Sequence, residues 1–251
     1  MSSAAPIPTV DDIAAATTDL LRGWVVRTVP ADAARWLDTE IDRQRNAVDE
    51  RRLGTALGLV GRRLGGTGLS LSPDDVAAAQ VLHRRWQPHI WGTDVAGRVA
   101  LLLATWRGDE EAFAAHVDRL CATGELTEHA ACLKGFAVFP VPVRLLSRAR
   151  AAIRSSVQPL FEAIACHNPY PADRFDEAVY NQMVIKCVFS GVPIGTIVGV
   201  DERRNDELVR MMRDLASERR IAGRLLPDAV HEFIETHHPG RASISVPSTE
   251  K

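Results

Sequence analysis

Hydrophobic residues recur every three or four positions along most of the chain, which is the spacing of amphipathic helices. The segments are separated by helix start and stop signals, such as Ser72-Pro73 at one beginning and Gly65-Gly66 at one end. This pattern predicts roughly eleven helices. Their approximate ranges are 11–26, 30–46, 51–64, 73–86, 93–106, 109–124, 126–138, 143–165 with a kink or restart at Pro159, 173–189, 205–222 and 227–237.

Strand patterns are nearly absent from the chain. Only residues 196–200 have β character, and a stretch that short is more easily a turn or a connector. Helices joined by short loops predict an all-α fold of stacked antiparallel helix pairs, in the manner of HEAT-like repeats, forming one α-solenoid-like domain. We assign this domain to residues 10–238 and expect the polar, proline-containing tails at 1–9 and 239–251 to be disordered.

The predicted helix at 173–189 carries an unusual number of polar residues in an otherwise apolar segment. These are Asp176, Glu177, Asn181, Gln182 and Lys186. At 100° per residue, Glu177 and Asn181 share a face with valines, while Gln182 and Lys186 share the opposite face with other apolar residues. We therefore expect a helix buried on two sides. Its polar groups must then be paired or must line a cavity, because an unmatched buried polar group costs about 1–3 kcal/mol.

Two interpretations of this segment and the HNPYP string before it stay open. In the structural one, Asn168 caps a turn, prolines fix an elbow, and Asn181 bonds a carbonyl at that elbow. In the functional one, His167 and Glu177 act as acid or base beside a pocket. The residues predicted to contact its ligand are Asn168, Tyr170, Tyr180, Asn181 and Lys186.

The same stretch resembles the C-terminal signature of the EboA family. The matching residues are HNPYP at 167–171, FDEA at 175–178, Tyr180, NQMV at 181–184 and Lys186. Tyr180 stands where many members are expected to have Trp. A weaker, generic helical similarity extends over roughly residues 50–238.

The resemblance implies a role in bacterial secondary-metabolite biosynthesis or metabolite traffic. It also implies neighbours in the same gene cluster, among them a membrane prenyltransferase and a sugar-phosphate-cyclase-like protein. We therefore expect a helical protein that binds a small, partly apolar metabolite or precursor in a cleft between helices, with pathway enzymes as possible partners. Clefts between helices are common ligand sites.

Two other functions remain open. One is a cofactor-independent cyclase or isomerase that acts on an isoprenoid or cyclitol intermediate, with His167 or Glu177 as acid or base. The other is a helical scaffold that docks pathway enzymes through an exposed apolar patch.

Composition narrows the range of partners. With 30 basic and 32 acidic residues, the chain has a formal charge of −2, so it lacks the net positive charge that would attract nucleic acid. The paired arginines, such as Arg51-Arg52 and Arg62-Arg63, are interpreted as solvated helix faces. No signal peptide and no apolar run of spanning length is evident, so we expect a cytoplasmic protein that does not span the membrane.

No cofactor or metal motif stands out. His83 and His89 lack a third ligand at metal-binding spacing, and the acidic string at 201–207 has the wrong spacing for magnesium diphosphates. The four cysteines form no CxxC pair, and their apolar settings predict reduced thiols without a disulfide. We expect no cofactor and no intrinsic metal.

Overall fold

A computed structural model describes residues 7–236, which form thirteen α-helices and no β-strand. The all-α prediction is confirmed, while the HEAT-like stacking and the domain bounds stay predictions. Most of both predicted tails, together with His237 and His238, lies outside the described residues. The helices are α1 Val10–Thr28, α2 Ala31–Asn46, α3 Glu50–Leu64, α4 Pro73–Leu82, α5 Thr93–Leu103, α6 Glu110–Thr123, α7 Leu126–Gly135, α8 Leu146–Arg154, α9 Gln158–Ala165, α10 Tyr170–Arg174, α11 Glu177–Phe189, α12 Asp206–Ile221 and α13 Asp228–Glu235.

Helix starts follow capping residues that are visible in the sequence. Ser72 and Asp75 form a capping box at the start of α4, and Asn205 accepts a bond from the Leu208 N–H at the start of α12. Thr9 forms a second capping box with Asp12 at the start of α1. Thr9 therefore belongs to the fold, although the sequence pattern assigned it to the N-terminal tail.

Several predicted helices are shorter or divided in the structure, and three of them show the reason. The predicted helix at 143–165 restarts before Pro159, as α8 and α9. Helix α4 ends at Leu82 instead of running to Trp86, because the chain turns through Arg85, whose φ is 66°. The predicted helix at 173–189 is α10 followed by α11, since the Asp176 side chain accepts a bond from the Val179 N–H and starts a new helix there.

The chain divides into two compact units, one up to Tyr170 and the other from Pro171. In the first unit, α5 is the central helix and packs against α1, α2, α3 and α7. Every residue from Val95 to Thr105 is buried. A cluster of three tryptophans lies beside this core, with ring centroids of Trp86 5.5 Å from Trp24 and 5.3 Å from Trp91. A helix buried on all sides explains why this segment is almost wholly apolar.

The second unit is built on α11, α12 and α13. The buried face of α11 includes Met183, Val184 and Cys187, and α12 contributes Leu208 and Met212 to the same core. Within residues 7–236, no helix is both long enough and apolar enough to cross a membrane.

Candidate functional site

Asn168 is the most completely bonded of the predicted site residues. Its side chain is buried, and its Nδ2 donates to the carbonyls of Leu133 at 3.0 Å and Ala163 at 3.1 Å. Its Oδ1 accepts from the backbone N–H of Tyr170 at 3.0 Å. Both amide protons and the amide oxygen are therefore used to join α7, α9 and the start of α10.

His167 and Tyr170 flank Asn168 in the first unit. His167 has a left-handed backbone with φ of 53°, and its Nδ1 lies 2.8 Å from Oε1 of Gln87. Partial burial, and to a lesser degree His89 and Lys134, lower the pKa of His167, which favours the neutral ring. The Tyr170 hydroxyl donates to the carbonyl of Pro142 at 2.5 Å.

Tyr180 and Asn181 are the buried polar residues of α11. The Tyr180 hydroxyl donates to the carbonyl of Val198 at 2.8 Å. The side-chain amides of Asn181 and Asn205 form two reciprocal hydrogen bonds, with Nδ2–Oδ1 distances of 3.0 and 3.1 Å. Since Asn205 also caps α12, these bonds fix the start of α12 against α11.

The other polar residues of α11 lie closer to solvent than the sequence pattern predicts. Glu177 and Gln182 are exposed, and Lys186 is half-buried. The expectation of burial on two sides was wrong for Glu177 and Gln182. Glu177 is the first residue of α11, where the helix emerges from its cap, so it does not continue the buried row that contains Asn181 and Val184.

The structure therefore gathers the predicted site residues into two groups. His167, Asn168 and Tyr170 lie together at the end of the first unit. Tyr180 and Asn181 lie together in the second, where the guanidinium of Arg203 sits 4.2 Å from the Tyr180 ring centroid. In each group, the hydrogen bonds described above connect the site residue to a different helix or loop of the same unit.

A separate cleft of about 800 Å³ lies between α2 and α3 in the first unit. We call it the α2/α3 cleft. Its lining residues are Asp32, Arg35, Trp36, Thr39, Glu40, Arg43, Asp49, Arg51, Arg52, Thr55, Ala56, Leu59 and Arg63. Five arginines against three carboxylates leave the lining with two excess positive charges. Trp36 and Leu59, both partly buried, supply an apolar wall.

Glu40 organises the charges at one end of the α2/α3 cleft. Its buried carboxylate accepts a bidentate pair from Arg52, at 2.9 and 2.7 Å, and a third bond from Arg43 at 3.0 Å. Two guanidinium groups thus share one carboxylate. In the described part of the chain, Arg35, Arg51 and Arg63 have no carboxylate within ion-pair distance, so they carry the charge available to a ligand.

Helix register distributes these arginines along the cleft. Helices α2 and α3 are antiparallel neighbours joined by residues 47–49, so positions before Glu40 face positions after Arg52. Arg51 and Arg63 are twelve residues apart and thus about 18 Å apart along the axis of α3. Trp36 and Leu59 lie between these ends.

The sequence pattern did not predict this site, because it interpreted the paired arginines of α3 as a solvated face. One signal was available in the sequence. Arg51, Thr55, Leu59 and Arg63 recur every four residues and form one row along the helix. That row identifies a face of α3, but only the packing of α2 beside it forms a cleft.

None of the described residues that line the α2/α3 cleft is a histidine or a cysteine. Within residues 7–236, no three His, Cys, Asp or Glu side chains are grouped so that they could hold a metal. His83 has its Nε2 2.8 Å from Oγ1 of Thr17, and burial lowers its pKa to about 4. Cys121 and Cys132, which no sequence spacing linked, have their sulfurs 3.7 Å apart.

The chain was compared with known protein families, curated proteins and solved structures. The family model described as metabolite traffic protein EboA matches residues 17–235 of the chain. No curated protein and no solved structure matches this chain.

Proposed function

The chain belongs to the EboA family, described as metabolite traffic proteins, and we propose that it binds a small metabolite with an anionic group and a partly apolar body in the α2/α3 cleft. The family description fits a small-molecule partner. The cleft supports the finer statement, because it combines uncompensated arginines with the apolar wall of Trp36 and Leu59. We further propose that the protein acts in the cytoplasm beside the enzymes of its pathway.

One observation carries this proposal: Arg35, Arg51 and Arg63 line one cleft without a carboxylate partner among the described residues. Guanidinium groups bind carboxylates and phosphates through paired, charge-assisted hydrogen bonds. The volume of about 800 Å³ lies in the range of roughly 300–1,000 Å³ that is usual for small-molecule sites.

The residues that the sequence predicts to contact a ligand, in the segment 167–186, remain a second proposal for the binding site. Asn168, Tyr170, Tyr180 and Asn181 each have a hydrogen-bond partner inside their own unit, which supports a structural role. The prediction that Asn181 bonds a carbonyl at the elbow was wrong, because its described partner is the side chain of Asn205. Glu177 is exposed, so a role for it as acid or base calls for a ligand that binds at the surface of the second unit. The variants described in the Discussion distinguish these two surfaces.

The proposal is tested with three matched probes: geranyl diphosphate, its neutral alcohol geraniol, and inorganic diphosphate. We expect geranyl diphosphate to bind more tightly than either of the others, because only this probe presents both an anionic group and an apolar chain. Isothermal titration calorimetry measures the affinities. Tryptophan fluorescence, compared with that of a Trp36→Phe variant, reports whether the probe lies in the α2/α3 cleft.

Two results would contradict the proposal. Equal affinity for geraniol and geranyl diphosphate would show that the arginines do not contribute to binding. A fluorescence change that persists unaltered in Trp36→Phe would place the probe outside the α2/α3 cleft.

A further inference from the structure

Cys121 and Cys132 lie on two helices that pack against each other, α6 and α7. Cys121 is in the last turn of α6, and Cys132 is in the middle of α7. Their sulfur atoms are 3.7 Å apart, and both side chains are buried. We infer that these two residues form a redox-active dithiol, which a hydroperoxide oxidises to a disulfide that bridges α6 and α7.

The geometry favours bond formation between these two sulfurs. A disulfide has an S–S distance of about 2.05 Å, so the sulfurs must approach each other by about 1.7 Å. Cys121 lies two residues before the end of α6, in the last turn, where backbone carbonyls no longer have a partner further along the helix. Only Gly124 and Glu125 separate α6 from α7, so the two cysteines lie on consecutive helices with a short connection.

The surroundings assign different roles to the two thiols. Cys121 is 8% exposed, whereas Cys132 is 0% exposed, so a small oxidant reaches the Cys121 sulfur first. The contact with Cys132, together with His129 and Arg148, lowers the pKa of Cys121 to about 6, although burial acts in the opposite direction. The same contact, burial and the charge of Asp118 raise the pKa of Cys132. The greater exposure and the lower pKa of Cys121 make it the thiol that reacts first, and Cys132 is then the thiol that attacks the oxidised sulfur.

The reaction is balanced with hydrogen peroxide as the oxidant. The Cys121 thiolate attacks one peroxide oxygen, the O–O bond breaks, and the sulfur becomes a sulfenic acid while the hydroxide released takes up a proton to form water. The Cys132 sulfur then attacks the sulfenic sulfur, loses its proton, and displaces a second water. Two thiols and one peroxide thus give one disulfide and two waters.

The remaining cysteines provide the matched control. Cys166 lies at the C-terminal end of α9 and Cys187 lies in α11 of the second unit. A variant with Cys166→Ser and Cys187→Ser keeps only the proposed pair. Its oxidation therefore reports on Cys121 and Cys132 alone, in the otherwise complete chain.

The experiment exposes wild type and this control variant to one equivalent of hydrogen peroxide, followed by thiol alkylation and peptide mass spectrometry. We expect a Cys121–Cys132 disulfide in both proteins, reversed by dithiothreitol, with a melting temperature a few degrees higher in the oxidised form because the cross-link restricts the unfolded chain. In Cys132→Ser, dimedone should trap a sulfenic acid at Cys121. In Cys121→Ser, we expect Cys132 to stay unoxidised.

A partial alkylation of the reduced wild type provides a check that needs no variant. We expect iodoacetamide to label Cys121 before Cys132 at neutral pH. The inference is overturned if peroxide leaves both thiols free, if Cys132 is labelled first, or if oxidation joins either residue to Cys166 or Cys187 instead.

Discussion

The amides of the signature segment are buried in the protein, whereas the arginines of the α2/α3 cleft are exposed to solvent. Asn168 and Asn181 are almost fully buried, and their amide groups bond to other parts of their own unit. Arg35, Arg51 and Arg63 are exposed and have no carboxylate partner in the described chain. A polar group that is already bonded within the fold mainly stabilises it, whereas one that faces an open cleft is available to a ligand. Three measurements test this difference, and a fourth tests a histidine that belongs to neither group.

The largest expected effect is that of Asn168→Ala. The substitution leaves the carbonyls of Leu133 and Ala163 and the N–H of Tyr170 without their partner, at about 1–3 kcal/mol for each group that stays buried and unsatisfied. We expect the free energy of unfolding to fall by about 3 kcal/mol or more. Urea denaturation measures the loss, with Gln182→Ala as an exposed control. A loss below 1 kcal/mol would contradict the anchoring role.

The pH dependence of stability tests the partly buried His83. Its folded pKa, about 4, lies below its ordinary value of 6.5, so the unfolded chain binds more protons between these values. The contribution of His83 to the free energy of unfolding is therefore fully present above pH 6.5. It is lost as the pH falls toward 4, by up to about 3 kcal/mol.

The measurement for His83 is the urea midpoint between pH 4 and pH 7. Thr17 donates its hydroxyl proton to the carbonyl of Ile13, so the His83 Nε2 donates to Thr17. His83→Gln keeps a donor but does not titrate, and we expect it to flatten the pH dependence. If wild type and variant lose stability in parallel, other groups are responsible.

Asn181→Ala and Glu177→Gln together test the signature as a ligand site. We expect Asn181→Ala to cost about 1–3 kcal/mol of stability, because Asn205 loses its reciprocal partner, and to leave probe affinity unchanged in the folded fraction. Glu177→Gln should change neither. Melting temperature and geranyl diphosphate affinity are measured on the same samples. Lost affinity with intact stability in either variant would instead support the pocket at the signature.

The smallest expected change in free energy is that of Arg51→Ala combined with Arg63→Ala. We expect roughly tenfold weaker binding of geranyl diphosphate, or about 1.4 kcal/mol, because the end of the cleft that holds the diphosphate loses its charge-assisted contact, whichever end that is. The melting temperature should stay within about 1 °C of wild type, since neither arginine has a carboxylate partner in the described chain.

Arg62→Ala is the matched control for the cleft. Arg62 is an exposed arginine on the same helix, and it does not line the α2/α3 cleft. Equal losses of affinity from Arg62→Ala and from the double variant would indicate a general charge effect instead of a site.

Local signals in the sequence determined the elements of this protein. Ser72, Asn205 and Asp109 cap the helices predicted to begin at them, since a cap depends on residues only two or three positions away. The lack of alternating strand patterns determined the fold class, and the HNPYP string pointed to the family that the match over residues 17–235 then confirmed.

Tertiary structure alone decided which residues meet and which face solvent. The pairing of Cys121 with Cys132, the sharing of Glu40 by Arg52 and Arg43, and the exposure of Glu177 beside the buried Asn181 all depend on how helices pack. Helical periodicity identifies the faces of a helix but does not tell which neighbour covers each face. That choice is set by contacts between distant segments, whose free energy no local window of sequence contains.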